Sequence, residues 1–387
     1  MDDEAIDEEN DYEDDVLLTP SGSRKRLQLP SAPKMSWVCC TDTWPRHAAL
    51  PWRGDGGGGL VHDSSARDVV RSHDIDCCSR PALPGPVRLS YGRKSITFSH
   101  YDAYWCNMCN LFTAELLGVR GIRASWAARR EQVDRLMAAL GNAAGPVSLD
   151  EHVSHVADNI IDMVAYGGVC SVAFEGKVRA VLAHPRGGHG HGSQLLCRRL
   201  LPRRRRPPRR PARRHLRTEI EIFRDLDAFF EEVLEQHLDP ARPKPGSGSG
   251  DLVDTLVGIC DEHGIMRDHV KAVLLDTFLS FVDTSSTTML WAMSKLIRKL
   301  RVLKKTQEEI RAAVATNSNI EQWVCPDDLP MQAYLKIVVK ETLWLHPPVI
   351  LLLPWEMLRR VQIGGYDVSM GTWVLVKAWA IGRDPAS

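Results

Sequence analysis

Hydrophobic residues recur at three- and four-residue intervals along most of this chain and switch to alternation only near its C-terminal end. Residues 66–81 read as a short helix closed by Pro81, and another helix opens at Tyr101-Asp102-Ala103-Tyr104-Trp105. Val133, Leu136, Met137 and Leu140, following Glu131, set an apolar face at helical spacing. Ser148 and Glu151 make a capping-box signature ahead of Val153, Val156, Ile160, Ile161 and Val164. Both stripes are expected to be ordinary core. An amphipathic helix is expected over residues 223–230, then a Pro, Gly and Ser linker over 244–250. A helical run starts at Asp251, and a long one covers residues 267–299. Pro347-Pro348 ends a further helix, after which Gly364-Gly365 and Gly371 punctuate β-type runs such as residues 372–376. The order predicts a mainly α fold with a small β region.

Periodicity fails in two places. Residues 1–60 mix an acidic run, a basic patch at Arg24-Lys25-Arg26 and the glycines Gly56 to Gly59, and are expected to be disordered. That glycine run has no following Lys-Ser/Thr and no preceding strand, so it does not read as a phosphate cradle. Residues 173–218 are rich in Arg, Pro, Gly and His, with Arg203 to Arg206 beside Pro207 and Pro208, and no core can form from them. The ordered halves are therefore expected at 61–172 and 219–387.

Composition adds little to this picture, because 49 basic and 49 acidic residues cancel over the 387-residue chain. The local excess of arginine at 173–218 raises nucleic acid or an acidic partner as a binding function. Aromatic residues for base stacking are absent there, which argues against nucleic acid. GC-rich coding sequence read out of frame or through an intron fits the segment better. An interaction protein using the Arg-rich and acidic segments stands as the alternative function. The 10 cysteines include the pairs Cys39-Cys40 and Cys77-Cys78 and no Cys-x-x-Cys, so reduced thiols are expected, with neither zinc site nor disulfide framework. His184, His189 and His191 with Cys197 could bind metal by composition, but their Gly-rich setting offers nothing to orient them.

Candidate chemistry lies in the C-terminal third. Phe278-Leu279-Ser280-Phe281-Val282-Asp283-Thr284-Ser285-Ser286 places an acid beside an alcohol inside the long helix, and a threonine there can hydrogen-bond the carbonyl one turn back. Alone, such a run is more often a solvated polar face. Lys340-Glu341-Thr342-Leu343-Trp344-Leu345-His346-Pro347-Pro348 closes the later helix. Together with Trp105-Cys106-Asn107-Met108-Cys109, these runs resemble the plant microsomal type of cytochrome P-450, a haem-thiolate monooxygenase.

The resemblance covers roughly residues 64–172 and 219–387. It implies haem, molecular oxygen, electrons from an NADPH-dependent reductase, and oxygen insertion into a small apolar plant metabolite. Asp283 and Thr284 would deliver protons, Trp105 would hold a haem propionate, and Glu341 would belong to the structural Glu-x-x-Arg pair. The family resides at the endoplasmic reticulum membrane through an N-terminal anchor. This chain begins Met1-Asp2-Asp3-Glu4 and has no run of about 18 apolar residues, so the expectation is a chain without an anchor, in the cytoplasm or unstable.

Several positions depart from the family pattern. Phe281 stands where glycine is usual, Trp344 where the Glu-x-x-Arg arginine belongs, and Cys109 where the second arginine of Trp-Arg-x-x-Arg belongs. Trp355 and Trp373 also sit where arginine is common. The changes at Cys109, Trp344, Trp355 and Trp373 are those expected from C-to-T decay of arginine codons, and the tryptophans among them contribute to a total of 11. The family's Phe-x-x-Gly-x-Arg-x-Cys-x-Gly loop, which carries the axial cysteine, falls downstream of Ser387. Neither Cys260 nor Cys325 has a setting that would replace it. The expectation is a truncated, degenerate and catalytically inactive member with no metal ligand, an unpaired Glu341 and exposed apolar surface.

Overall fold

The computed structural model describes residues 16–18, 24–28, 59–61, 69, 72–168, 211–242, 250–260, 264–316, 326–363 and 366–383. Helix α1 (Ala103–Phe112) starts where the sequence opens it, with extended Asp102 accepting a hydrogen bond from the Trp105 backbone N–H at 2.9 Å. This is an N-cap, which satisfies a donor the first helical turn leaves without a partner. A π turn at Thr113–Leu117 ends it, and α2 (Trp126–Asn142) and α3 (Leu149–Ala165) follow. Next come α4 (Pro211–Leu238), α5 (Leu252–Gly258), α6 (Arg267–Arg298), α7 (Leu300–Thr316) and α8 (Ala333–Leu345). The backbone of α4 begins at Pro211, inside the Arg/Pro-rich stretch, where proline at the first helical position removes no needed donor. The rest of that stretch, with His184, His189, His191 and Cys197, lies outside the described residues, as does Cys325.

The fold is organised around α6. Its first half buries Val270, Ala272, Val273, Leu274 and Leu275, a run too continuous to be one-sided, so α6 is covered all round. Cover comes from α3 through Ile161 and Ala165, from α4 through Phe230, Val233 and Leu234, and from α5 through Leu252, Val253 and Leu256. Tyr166, just past α3, is fully buried and donates its hydroxyl to the Leu274 carbonyl at 3.0 Å, which fixes α3 against α6.

Three local expectations need correction. Ser148 makes no side-chain cap on α3. It is held instead in a strand pairing, and its carbonyl faces His152 Nδ1 at 2.8 Å. On α2, Val133 and Met137 are exposed, whereas Gln132 is buried with its amide donating to Met163 Sδ at 3.1 Å. The helix thus turns a polar residue toward α3, and the apolar stripe sits at the flank. The helix expected to reach Pro81 stops at Cys77, because Ser79 leaves it to bridge Glu356.

The strands are β1 (Val16–Leu18), β2 (Arg24–Gln28), β3 (Gly59–Val61), β4 (Val147–Ser148), β5 (Trp355–Glu356), β6 (Val361–Ile363), β7 (Tyr366–Val368) and β8 (Trp373–Val376). They form sheets in the orders β1-β2-β4, β3-β8-β5 and β6-β7. The β1/β2, β5/β8 and β6/β7 pairs are antiparallel, and β2/β4 and β3/β8 are parallel. Val69, Cys77, Met357, Ile363, Val368, Val374 and Val376 make a second apolar core for this region. Gly371 turns the chain into β8 at φ +77°, a conformation glycine adopts without a Cβ clash. No helix among the described residues is long and apolar enough to cross a membrane.

Candidate functional site

The predicted acid–alcohol pair lies midway along α6. Thr284 is half-buried and donates its hydroxyl to the Ser280 carbonyl, one turn back as expected. The bond is one rung of a series, since Ser280 donates to the Asp276 carbonyl at 2.6 Å and Thr288 to the Thr284 carbonyl at 2.7 Å. Such back-bonding bends a helix and diverts its carbonyls from the backbone ladder. Asp283 is exposed. Phe281 is half-buried and packs against the main core.

Trp105, on α1, is half-buried and donates its indole N–H to the Ile96 carbonyl at 3.0 Å. Four residues along, Cys109 is a half-buried thiol whose pKa is pushed up by burial, aided by nearby Cys106 and Asp276. A neutral thiol there lacks the charge-assisted, two-pronged contact an arginine makes with a carboxylate.

The segment before α1 meets α6 through a residue the sequence reading missed. Asp276 is 6% exposed, and its carboxyl oxygen accepts the Thr97 N–H at 3.1 Å. Burial pushes its pKa up to about 6, opposed by hydrogen bonds from Thr97, Ile96 and Ser95. Its signal was an acid inside the apolar run Val273-Leu274-Leu275-Asp276-Thr277-Phe278. A buried acid is rare unless partnered. Trp105 and Thr284 thus connect to Asp276 separately, the indole through the Ile96–Thr97 peptide to its carboxyl group and Thr284 through Ser280 to its backbone carbonyl, in an array of contacts centred on this residue.

Glu341 is not brought into that array. It is exposed on α8 without an ion pair among the described residues, and Trp344 is 49% exposed. The cost of an unpaired buried carboxylate therefore does not arise, because water solvates the group. Trp355 and Trp373 are half-buried in the paired strands β5 and β8, with the Arg80 guanidinium 6.0 Å from the Trp355 ring centre.

A haem of the thiolate type takes its axial ligand from a cysteine. Among the described residues the free cysteines are Cys77, Cys78, Cys106, Cys109 and Cys260. Burial pushes the Cys77 thiol up to about 12 and raises Cys78 and Cys109 as well. Cys260 donates to the Leu256 carbonyl within its own helical turn, at 3.1 Å. Trp105 already spends its N–H on Ile96. None of the described cysteines lies in a basic loop that would present a thiolate, and Trp105 has no free N–H for a propionate, so by themselves the described residues do not fit the group.

The cytochrome P450 family model matches residues 61–387. Among curated proteins, 4-hydroxyphenylacetaldehyde oxime monooxygenase of Sorghum bicolor is 46% identical over 345 residues, covering 84% of this chain and 61% of that protein. The 2-methylbutanal oxime monooxygenase of Manihot esculenta is 36% identical over 345 residues, covering 84% of this chain and 63% of its own length. The chain thus spans about three fifths of the length of these relatives. A zebra fish cytochrome P450 solved with progesterone shares the fold, with a TM-score of 0.69 at 22% identity, over 87% of this chain and 75% of that one. The mostly helical body around α6 and the match over residues 61–387 agree: the chain belongs to the cytochrome P450 family.

Proposed function

We infer that this chain derives from a haem monooxygenase that oxidises a small apolar plant aldoxime, and that as it stands it does not turn over. The substrate class is supported by the relatives, whose names specify one aromatic and one branched aliphatic aldoxime. In an intact relative, haem with an axial thiolate supplies the oxygen activation, with electrons from an NADPH-dependent reductase at the endoplasmic reticulum membrane. The observation that supports the inactivity is the placing of the described thiols: burial raises the pKa of Cys77, Cys78 and Cys109, Cys260 is bonded to its own helix, and Cys106 sits within helix α1 beside Cys109.

In this reading Asp283 and Thr284 are an inherited proton relay and Trp105 an inherited haem contact, kept after the cationic partners at Cys109 and Trp344 were lost. The test is the absorption spectrum of the full chain after haemin, reduction and carbon monoxide. No thiolate-type band is expected, and no product from either aldoxime with reductase and NADPH. A red-shifted thiolate Soret band overturns the inactivity and makes Cys260 and Cys325 the next residues to substitute.

A further inference from the structure

The Ile96–Thr97 peptide unit has a partner at each end. Its N–H, on Thr97, donates to the Asp276 carboxylate at 3.1 Å, and its C=O, on Ile96, accepts the Trp105 indole N–H at 3.0 Å. One rigid, planar amide therefore joins α6 to α1. Hydrogen bonds in series polarise one another, so charge on the carboxylate strengthens the carbonyl as an acceptor at the other end.

We propose that Asp276 is a positioning residue for Trp105, acting through this single peptide, and that its protonation loosens the seat of the indole. The surroundings suit an ionised acceptor. Ser95, Ile96 and Thr97 all direct hydrogen-bond donors at the carboxyl group. A carboxylate accepts all of them, whereas a neutral acid brings a proton of its own that must displace one. The segment is also held away from the carboxyl group, by Tyr104 donating its hydroxyl to the Lys94 carbonyl at 2.5 Å and by the Arg93 guanidinium donating to the Phe98 carbonyl at 3.2 Å. Release of the carboxyl grip is therefore felt at the bridging peptide and not as unfolding of the whole loop.

The proton change falls in an accessible range, because burial raises the Asp276 pKa to about 6. Other ionisable groups face the same segment. Arg80 and Arg93 bond the Thr97 and Phe98 carbonyls at 3.1 and 3.2 Å, and Lys94 pairs with Asp268 at 2.7 Å. On α1, burial raises the Tyr104 and Cys109 pKa values, which keeps both neutral, and Asp102 caps the helix. His269 rings against Tyr104 at 5.4 Å and has a lowered pKa from burial and Lys94, and His100 Nδ1 lies 3.1 Å from Ser79 Oγ. His100, His269 and Asp102 are therefore the positions to substitute as controls.

The test is read on the full chain without haem, so it stands apart from the monooxygenase reading. Indole N–H signals are recorded in a ¹⁵N-tryptophan-labelled sample across pH 5 to 7.5, with the Trp105 signal identified by its loss in Trp105→Phe. The expected result is an upfield movement of that proton on acidification, with one midpoint near 6. Asp276→Asn abolishes the titration and Asp276→Glu restores it, which a merely structural contact would not do. A flat wild-type response overturns the proposal even if the Asn variant fails to fold. So does a titration that survives Asp276→Asn, or one abolished by His100→Gln, His269→Gln or Asp102→Asn.

Discussion

His346 lies flat on Trp291, with ring centroids 3.8 Å apart and planes 6° from parallel. Burial lowers its pKa to about 4, with Lys295 and Arg383 adding repulsion. Unfolded histidine titrates near 6.5, so between these values the unfolded chain binds more protons than the folded one. This residue's contribution to stability therefore falls as pH drops from about 6.5 toward 4. The full linkage for a shift of that size is about 3 kcal/mol. Solvent screening of the half-exposed ring reduces it to the order of 1 kcal/mol. Urea unfolding of wild type and His346→Phe should show equal pH slopes above 7 and a shallower acid loss in the variant. At the neighbouring turn, Trp344→Arg places a cation three residues from Glu341, but both positions are exposed. Pairs at that spacing are worth about 0.2–0.5 kcal/mol, and thermal melts should change by no more than that. A gain above about 2 kcal/mol would mean that Glu341 is buried after all.

At the scale of elements, the junction of α4 and α5 holds a cluster of charged and titratable side chains around the buried Asp251. Asp251 Oδ2 meets His237 Nε2 at 3.0 Å and Arg242 Nη2 at 3.0 Å, while Arg242 Nη1 reaches Asp254 at 3.1 Å. Asp251 also caps α5 through the Asp254 N–H at 2.9 Å, and Gly167, at φ +66°, comes so close that an added Cβ would strike the same carboxylate. The His237 and Asp251 side chains are 0% and 5% exposed. Asp251→Ala should cost about 3–5 kcal/mol in urea unfolding, because it removes the α5 cap and leaves the buried His237 ring and one arm of the Arg242 guanidinium without their partner. Asp254→Ala should cost nearer 1 kcal/mol, as for a lost cap contact.

The sequence showed the start of α5 at Asp251, since a capping acid is local, but not His237 or Arg242, whose partners lie across the linker. The same limit applied elsewhere. The 267–299 run announced α6 almost to the residue because unbroken apolar patterning needs no outside knowledge. Ser148 lost its expected cap because a strand from residues 24–28 claimed it, and no local motif records that pairing. Thr284 was placed correctly on its carbonyl, a contact one turn away, whereas Asp276 and the 95–97 segment are nearly the length of half the chain apart. Contacts between distant segments are set by packing, which periodicity does not encode.

Across the described residues, many large apolar side chains lie exposed outside the two cores. Met331 is 77% exposed, Leu300 68% and Met370 74%. On α8, Ile337 and Trp344 share a stripe with Glu341 at helical spacing, and Ile337 is 53% exposed. Buried against water, such side chains would each be worth about 1.5–3 kcal/mol, so leaving them exposed favours any contact that covers them. Monomeric proteins rarely present apolar patches beyond a few hundred Å². The full chain should therefore bind a hydrophobic dye while still folded and associate as its concentration rises. Ile337→Lys combined with Trp344→Arg should reduce dye fluorescence and shift sedimentation toward the monomer. Because both side chains already lie in solvent, stability should move by only about 0.5 kcal/mol per site. Loss of the cooperative melt in that double variant would show instead that α8 is packed on this face, and that the chain's apolar surface is smaller than its fold displays.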